Sequence, residues 1–297
     1  MAKKRKVLVT GAAGYIAAQL LPEFRRRYDL VLLDARASDR GGKRVPGVMV
    51  VDLIDPDFNK YRHYFKGIDT IIHLGWKHSQ GASGALARPR SVDDFYPEHE
   101  NVHMAYNIYR VAMEEHVQRV VVASSNHAAD WYEHELIHHK KLDAVDPYML
   151  PLSDNFYGWA KATYEHMGFM FATGIFGRKL ENVQVRIGAP REIRLKDYTK
   201  GDSLNYKRDL GAYISPRDLR QLFIKAVETE SIENEYGVPW LVVYGISDNA
   251  RAFWSLTSAR DALGYEPQDD SEVKFQDEIQ GFLYGRRGKA GPGRVGQ

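Results

Sequence analysis

The apolar run Val7-Leu8-Val9 passes straight into Thr10-Gly11-Ala12-Ala13-Gly14-Tyr15-Ile16-Ala17, and few folds accommodate that succession. It reads as a buried strand, a glycine turn and the start of a helix. Four more short, nearly continuous apolar runs follow, at residues 30–33, 48–51, 70–74 and 120–123. Strands covered on both faces of a parallel sheet read this way. Helical patterns at 17–28 and 101–116 lie between them. The alternation predicts an α/β fold, a doubly wound parallel sheet of the Rossmann type with right-handed crossovers.

Further along, a helix is expected at 155–171 and a strand at 183–187. Beyond about residue 188 the organisation changes to a polar, charged stretch reaching Arg208, a helix at 216–228, a strand at 241–244 and a terminal helix. The expected division is a dinucleotide-binding domain with the catalytic residues over 1–188, then a small substrate-covering lobe interleaved with the core over 189–284. Residues 285–297, rich in Gly, Arg and Lys, bury no apolar area and read as a flexible basic tail. Residues 79–93 lack periodicity and read as a loop over the cofactor cleft.

Bulk charge narrows the partners. With 41 basic against 39 acidic residues the formal net charge is +2, which offers no general attraction to nucleic acid or an anionic membrane. No apolar run approaches the roughly 20 residues that span a bilayer. The basic start, Lys3-Lys4-Arg5-Lys6, leads into the first strand and lacks the apolar core of a signal peptide. There is no cysteine, so disulfide and thiol chemistry are excluded, which fits a cytoplasmic location.

In the glycine turn, Gly11 allows the tight bend, Gly14 lets the backbone approach a phosphate, and Ala17 allows close helix–strand packing. The N–H groups around Ala13, Gly14, Tyr15 and Ile16 would then face a pyrophosphate. Asp34 ends the second strand about 20 residues on, where a carboxylate accepts from ribose hydroxyls and repels a 2′-phosphate, favouring NAD over NADP. Arg36 nearby weakens that preference. Asp52 and Leu53 after the third strand could flank adenine, although Asp52 reads equally well as a strand-end cap; Leu74, Gly75, Tyr157 and Lys161 are the remaining expected cofactor contacts, Lys161 hydrogen-bonding the nicotinamide ribose.

The fifth strand ends in Ser124-Ser125-Asn126-His127, and ligands of open parallel sheets bind beyond the carboxyl ends of the strands. Tyr157-Gly158-Trp159-Ala160-Lys161 puts a phenol and an ammonium one helical turn apart. A nearby cation lowers a phenol's pKa, so Tyr157 is expected to be an acidified proton acceptor with Ser125 holding the substrate hydroxyl. Taken alone, such a pair among 18 tyrosines could be chance. The glycine turn is what gives it weight.

These motifs resemble the extended short-chain dehydrogenase/reductase superfamily along nearly the whole chain, and more closely its uronate dehydrogenases. The residues carrying the closer likeness are Ser124-Ser125-Asn126-His127, Tyr157-Gly158-x-x-Lys161, Val185-Arg186-Ile187-Gly188, Tyr244-Gly245-Ile246-Ser247, Phe253-Trp254 and Leu263-Gly264-Tyr265-Glu266-Pro267. The resemblance implies NAD-dependent oxidation of a free hexuronic acid at its anomeric carbon to an aldarolactone. It implies Ser125, Tyr157 and Lys161 as catalytic residues, with His78, Ser125, Asn126, His127 and Arg208 binding the sugar and Arg208 gripping its carboxylate. A homodimer is also implied. Trp76-Lys77-His78 and Ala189 depart from the family pattern, which puts the sugar's identity in question.

Rival readings share the fold. A neutral-sugar dehydrogenase and a nucleotide-sugar 4-epimerase both use the same serine, tyrosine and lysine. A dehydratase needs a carboxylic acid where this chain has Asn126 and His127. His134-Glu135-Leu136-Ile137-His138 spells the HExxH zinc pattern, but without an obvious third ligand no metal is expected.

Overall fold

Seven parallel strands form a single sheet in the order β3-β2-β1-β4-β5-β6-β7. They are β1 (Lys6–Thr10), β2 (Asp29–Asp34), β3 (Val48–Val50), β4 (Thr70–His73), β5 (Arg119–Ser125), β6 (Glu181–Ile187) and β7 (Trp240–Gly245). The computed structural model describes residues 4–78, 91–198 and 203–284. The anticipated loop at 79–93 therefore falls mostly outside the described residues, and the basic tail wholly outside them.

Each apolar run became a strand; helices cover the faces of the central strands, while the edge strand β3 leaves Val50 exposed. Val7, Leu8 and Val9 are buried, as are Val120, Val121 and Val122. The chain winds outward from β1 through β2 to β3, then returns to β4 beside β1 and winds the other way. The carboxyl ends of β1 and β4 thus diverge into the crevice where such sheets hold ligands.

Helix α1 (Tyr15–Arg27) follows the glycine turn. Helix α2 (Phe95–Glu114) begins six residues before the apolar pattern suggested. A capping box at Ser91 and Asp94 starts the chain turning, and Pro97 in the first turn suits a helix start. The tyrosine-bearing helix (Phe156–Ala172) is capped by Asn155, whose side chain accepts from the Gly158 N–H at 2.9 Å.

The later part of the chain is more helical than its sequence suggests. Ser203–Ala212 forms a helix with Arg208 and Asp209 buried beside Tyr206 and Leu210. Its buried face is held partly by charge pairs, so no apolar periodicity announces it. Thr257–Leu263 is a second unanticipated helix. Strand β7 belongs to the main sheet, although its sequence lies inside the segment assigned to the lobe. Among the described residues, no helix is long and apolar enough to cross a membrane.

Candidate active site

The glycine turn is built so that nothing but glycine fits. Gly11 has φ +66°, and a β-carbon there would stand 2.7 Å from the backbone of Leu74 and Gly75. Gly14 is the N-cap of α1, makes no side-chain cap, and no acidic residue follows in the first turn. The helix start therefore presents unpaired N–H groups and positive partial charge, the setting for a pyrophosphate. Asp34 accepts from the Ala13 N–H at 2.9 Å and from the Arg36 N–H at 3.1 Å. One carboxylate thus shapes the turn and stands at the end of β2, in position for ribose hydroxyls. Thr10 closes the floor, its carbonyl accepting from the Leu74 N–H and its hydroxyl from the Gly75 N–H.

These residues fit a dinucleotide. Leu53 is buried and its carbonyl accepts from Asn107, while Asp52 caps its own turn by accepting from the Ile54 N–H at 2.9 Å. His78 is exposed and hydrogen-bonds Arg40 at 3.0 Å; its partner is a basic side chain and not a member of the serine–tyrosine group. Arg36 and Arg40 both follow Asp34 closely, so the negative charge of Asp34 is what stands against a 2′-phosphate. We expect Asp34→Ser to move the NADP/NAD ratio of kcat/KM toward NADP by about tenfold or more, a change of about 1.4 kcal/mol. Parallel initial-rate measurements with both cofactors test it; an unchanged ratio removes that role from Asp34.

The two serines at the end of β5 face opposite ways, as neighbours on a strand do. Ser124 donates to Glu165 at 2.7 Å, and Glu165 makes a two-pronged pair with Arg186 at 2.8 and 2.7 Å. Arg186 also donates to the Tyr244 hydroxyl. Ser124 is therefore fastened into the frame. Ser125 faces the cleft, where its hydroxyl oxygen accepts from the His127 N–H and donates toward Asn126. A β-carbon on Gly158 would lie 2.0 Å from the His127 carbonyl oxygen. The helix start and the turn after β5 thus meet backbone to backbone, which brings Tyr157 to Ser125.

Electrostatics correct one expectation. Tyr157 is not acidified in the protein alone; burial pushes its phenol up to about 12, and only the Ser125 hydroxyl favours the phenolate. Lys161 is pushed down to about 7 by burial, against the pull of Glu98 and Glu165. Its ammonium donates to the Ala123 carbonyl at 2.7 Å and sits 3.9 Å from the centre of the Trp76 ring. Trp76 in turn packs edge-on to Tyr157 at 4.9 Å. Desolvation outweighs the attraction because the amine is directed to a carbonyl and an indole. A phenol accepts a proton only when deprotonated, and this one's pKa lies above neutrality. Oxidation should therefore accelerate from pH 7 to 9, approaching about tenfold per unit where phenolate is limiting. A pH–rate profile that is flat or falls over this window contradicts that role.

On the substrate side, the Asn126 amide nitrogen is buried and lacks a partner among the described residues, a donor positioned for a hydroxyl. His127 is held through Nδ1 by Asp130 at 2.8 and 2.9 Å, and Asn155 donates to the same carboxylate at 2.8 Å. Its ring lies edge-on to Tyr157 at 5.6 Å. The segment after His127 supplies two buried carboxylates, Asp130 and Glu133, that the sequence reading did not single out. Their spacing, three and six residues after His127, is the signal that could have found them.

Arg208 is buried, and its guanidinium is already paired. Its Nε and one terminal nitrogen donate to Glu133 at 2.8 and 3.1 Å, and the other terminal nitrogen to Asp209 at 3.1 Å. The expected free fork for a substrate carboxylate is already engaged. The HExxH histidines also diverge, His134 to Asp154 at 2.8 Å and His138 to Glu133 at 3.3 Å.

Comparison with known proteins agrees with this arrangement. Residues 7–172 match the NAD dependent epimerase/dehydratase family. The chain is 29% identical over 289 residues to an NAD-dependent glucose-6-phosphate dehydrogenase of Haloferax volcanii, covering 92% of this chain and 97% of that protein. It is 28% identical over 275 residues to a uronate dehydrogenase of Pseudomonas syringae pv. tomato, covering 90% and 83%. A solved structure of a mutated uronate dehydrogenase superposes with a TM-score of 0.68 at 26% identity, over 98% of this chain and 89% of the other. The match over more than half its length establishes that this chain belongs to the NAD-dependent epimerase/dehydratase family, within the extended short-chain dehydrogenase/reductase superfamily, and its dehydrogenase relatives along nearly the whole chain mark it as an NAD-dependent dehydrogenase.

Proposed function

We propose that the enzyme oxidises a free monosaccharide at its anomeric carbon, giving the lactone. The carrying observation is the convergence of Ser125, Asn126, His127 and Tyr157 at the carboxyl end of β5, beside the crevice headed by the glycine turn. Both named relatives are sugar dehydrogenases, which supports the same substrate class here.

Ser125 orients the anomeric hydroxyl, and Tyr157 takes its proton. The unpaired Asn126 amide and the Nε2 of His127 bind neighbouring hydroxyls, with Asp130 fixing the imidazole. Gly11, Gly14 and the first turn of α1 hold the pyrophosphate, and Asp34 holds the adenosine ribose. When bound, NAD supplies the hydride acceptor. Lys161 Nζ lies 5.9 Å from the centre of the Tyr157 ring and lends it positive charge only in its protonated form, which its pKa of about 7 confines to neutral and lower pH.

The hexuronate reading depends on Arg208 meeting the substrate carboxylate, and that guanidinium is held by Glu133 and Asp209. The proposal therefore covers acidic and neutral free sugars. The test is a panel of hexuronates, neutral aldoses and nucleotide sugars with NAD, followed by NADH formation. Net NADH with free sugars supports it. Isomerised nucleotide sugar without net NADH would replace it with the epimerase reading.

A further inference from the structure

Glu133 and Arg208 come from segments 75 residues apart and pair with almost no exposure, at 4% and 7% of their side chains. The pair lies beside the sugar-binding residues: Glu133 follows by three residues, in the same helical segment, the Asp130 carboxylate that holds His127. Arg208 also stands 5.4 Å from the centre of the Trp254 ring, which fixes its plane. Around it carboxylates at least match the cations. Asp209, which takes the remaining terminal nitrogen of Arg208, is itself paired with Arg191 at 2.5 Å. Arg208, Arg191, Glu133 and Asp209 form a chain of two cations and two anions.

Resting on the proposed oxidation of free sugars, we propose that Glu133 is a specificity-determining residue that excludes negatively charged sugars and selects neutral aldoses. A carboxylate or phosphate arriving at Arg208 would have to share one guanidinium with Glu133 and Asp209. It would thus bring a further anion to a buried guanidinium that two carboxylates already satisfy. A neutral sugar meets no such conflict. The carboxyl of Glu133 is strongly committed to its charged state: burial pushes its pKa up, but Arg208 and His138 hold it down at about 2. Glu133 therefore stays anionic throughout the range in which Tyr157 can work.

The experiment compares kcat/KM for matched pairs on the full-length enzyme: D-glucose with D-glucuronate, D-galactose with D-galacturonate, and D-glucose with glucose 6-phosphate. The neutral member of each pair is expected to be favoured by at least about tenfold. In Glu133→Gln, which keeps the shape but removes the charge, the ratio should move at least about tenfold toward the hexuronates, chiefly through KM. A wild-type preference for the acidic sugars overturns the proposal without any variant, so a Glu133→Gln protein that fails to fold does not shield it. A folded Glu133→Gln enzyme with an unchanged ratio also overturns it. Absence of turnover with every free sugar sinks the proposed function, and this inference with it; a reversed ratio sinks the inference alone.

Discussion

Tyr157→Phe should lower kcat by about two to four orders of magnitude, the usual weight of a positioned general base. The substitution keeps the ring against Trp76 and His127 and removes only the hydroxyl. Its thermal midpoint should stay near that of the wild type, because the lost phenol is a buried group with few partners. The measurement is single-turnover NADH formation beside a thermal melt. Turnover within a few-fold of the wild type would show that the proton leaves by another route. A protein that loses both activity and folding would point to a structural tyrosine.

The largest stability effect is expected at the buried group behind Ser124. Glu165→Ala leaves Arg186 charged, almost fully buried and without its carboxylate, and strips Ser124 of its acceptor. Breaking one side of a buried pair costs about 3–5 kcal/mol. Urea unfolding followed by tryptophan fluorescence should show that loss. Replacing both partners, Glu165→Met with Arg186→Met, should recover much of it, since neither charge then remains buried. A single substitution costing under about 1 kcal/mol would mean that the network does not brace the end of β5. Activity should fall with stability in the alanine variant, because the strand that holds Ser124 also carries Ser125.

Much of the fold was legible because its signals are local. Strands covered by helices tend to be apolar, so five of the seven could be read from short apolar runs; β6 and β7 were also expected as strands, although β6 buries Asn182, Gln184 and Arg186. The helix at Pro216–Glu228 was equally plain, with Ser215 as its cap and proline at its first position. The helix at Ser203–Ala212 was hidden because two of its buried residues are Arg208 and Asp209. Their burial depends on carboxylates and guanidinium groups distant in sequence, and no periodicity records it.

The same division runs through the site. Residue types at the carboxyl ends of β1, β2 and β5, together with the spacing of Tyr157 and Lys161, determined by themselves the glycine turn, the carboxylate at the end of β2 and the serine–tyrosine pair. Strand, turn and helix geometry are consequences of neighbouring residues, and these contacts follow from them. Charge balance was decided only by tertiary structure. Lys161 points to the Ala123 carbonyl and the Trp76 face, the phenol of Tyr157 rises instead of falling, and Arg208 is taken by Glu133. Solvation and partner choice depend on which distant groups the fold buries together, and desolvation then outweighs the effect of any one neighbour along the chain.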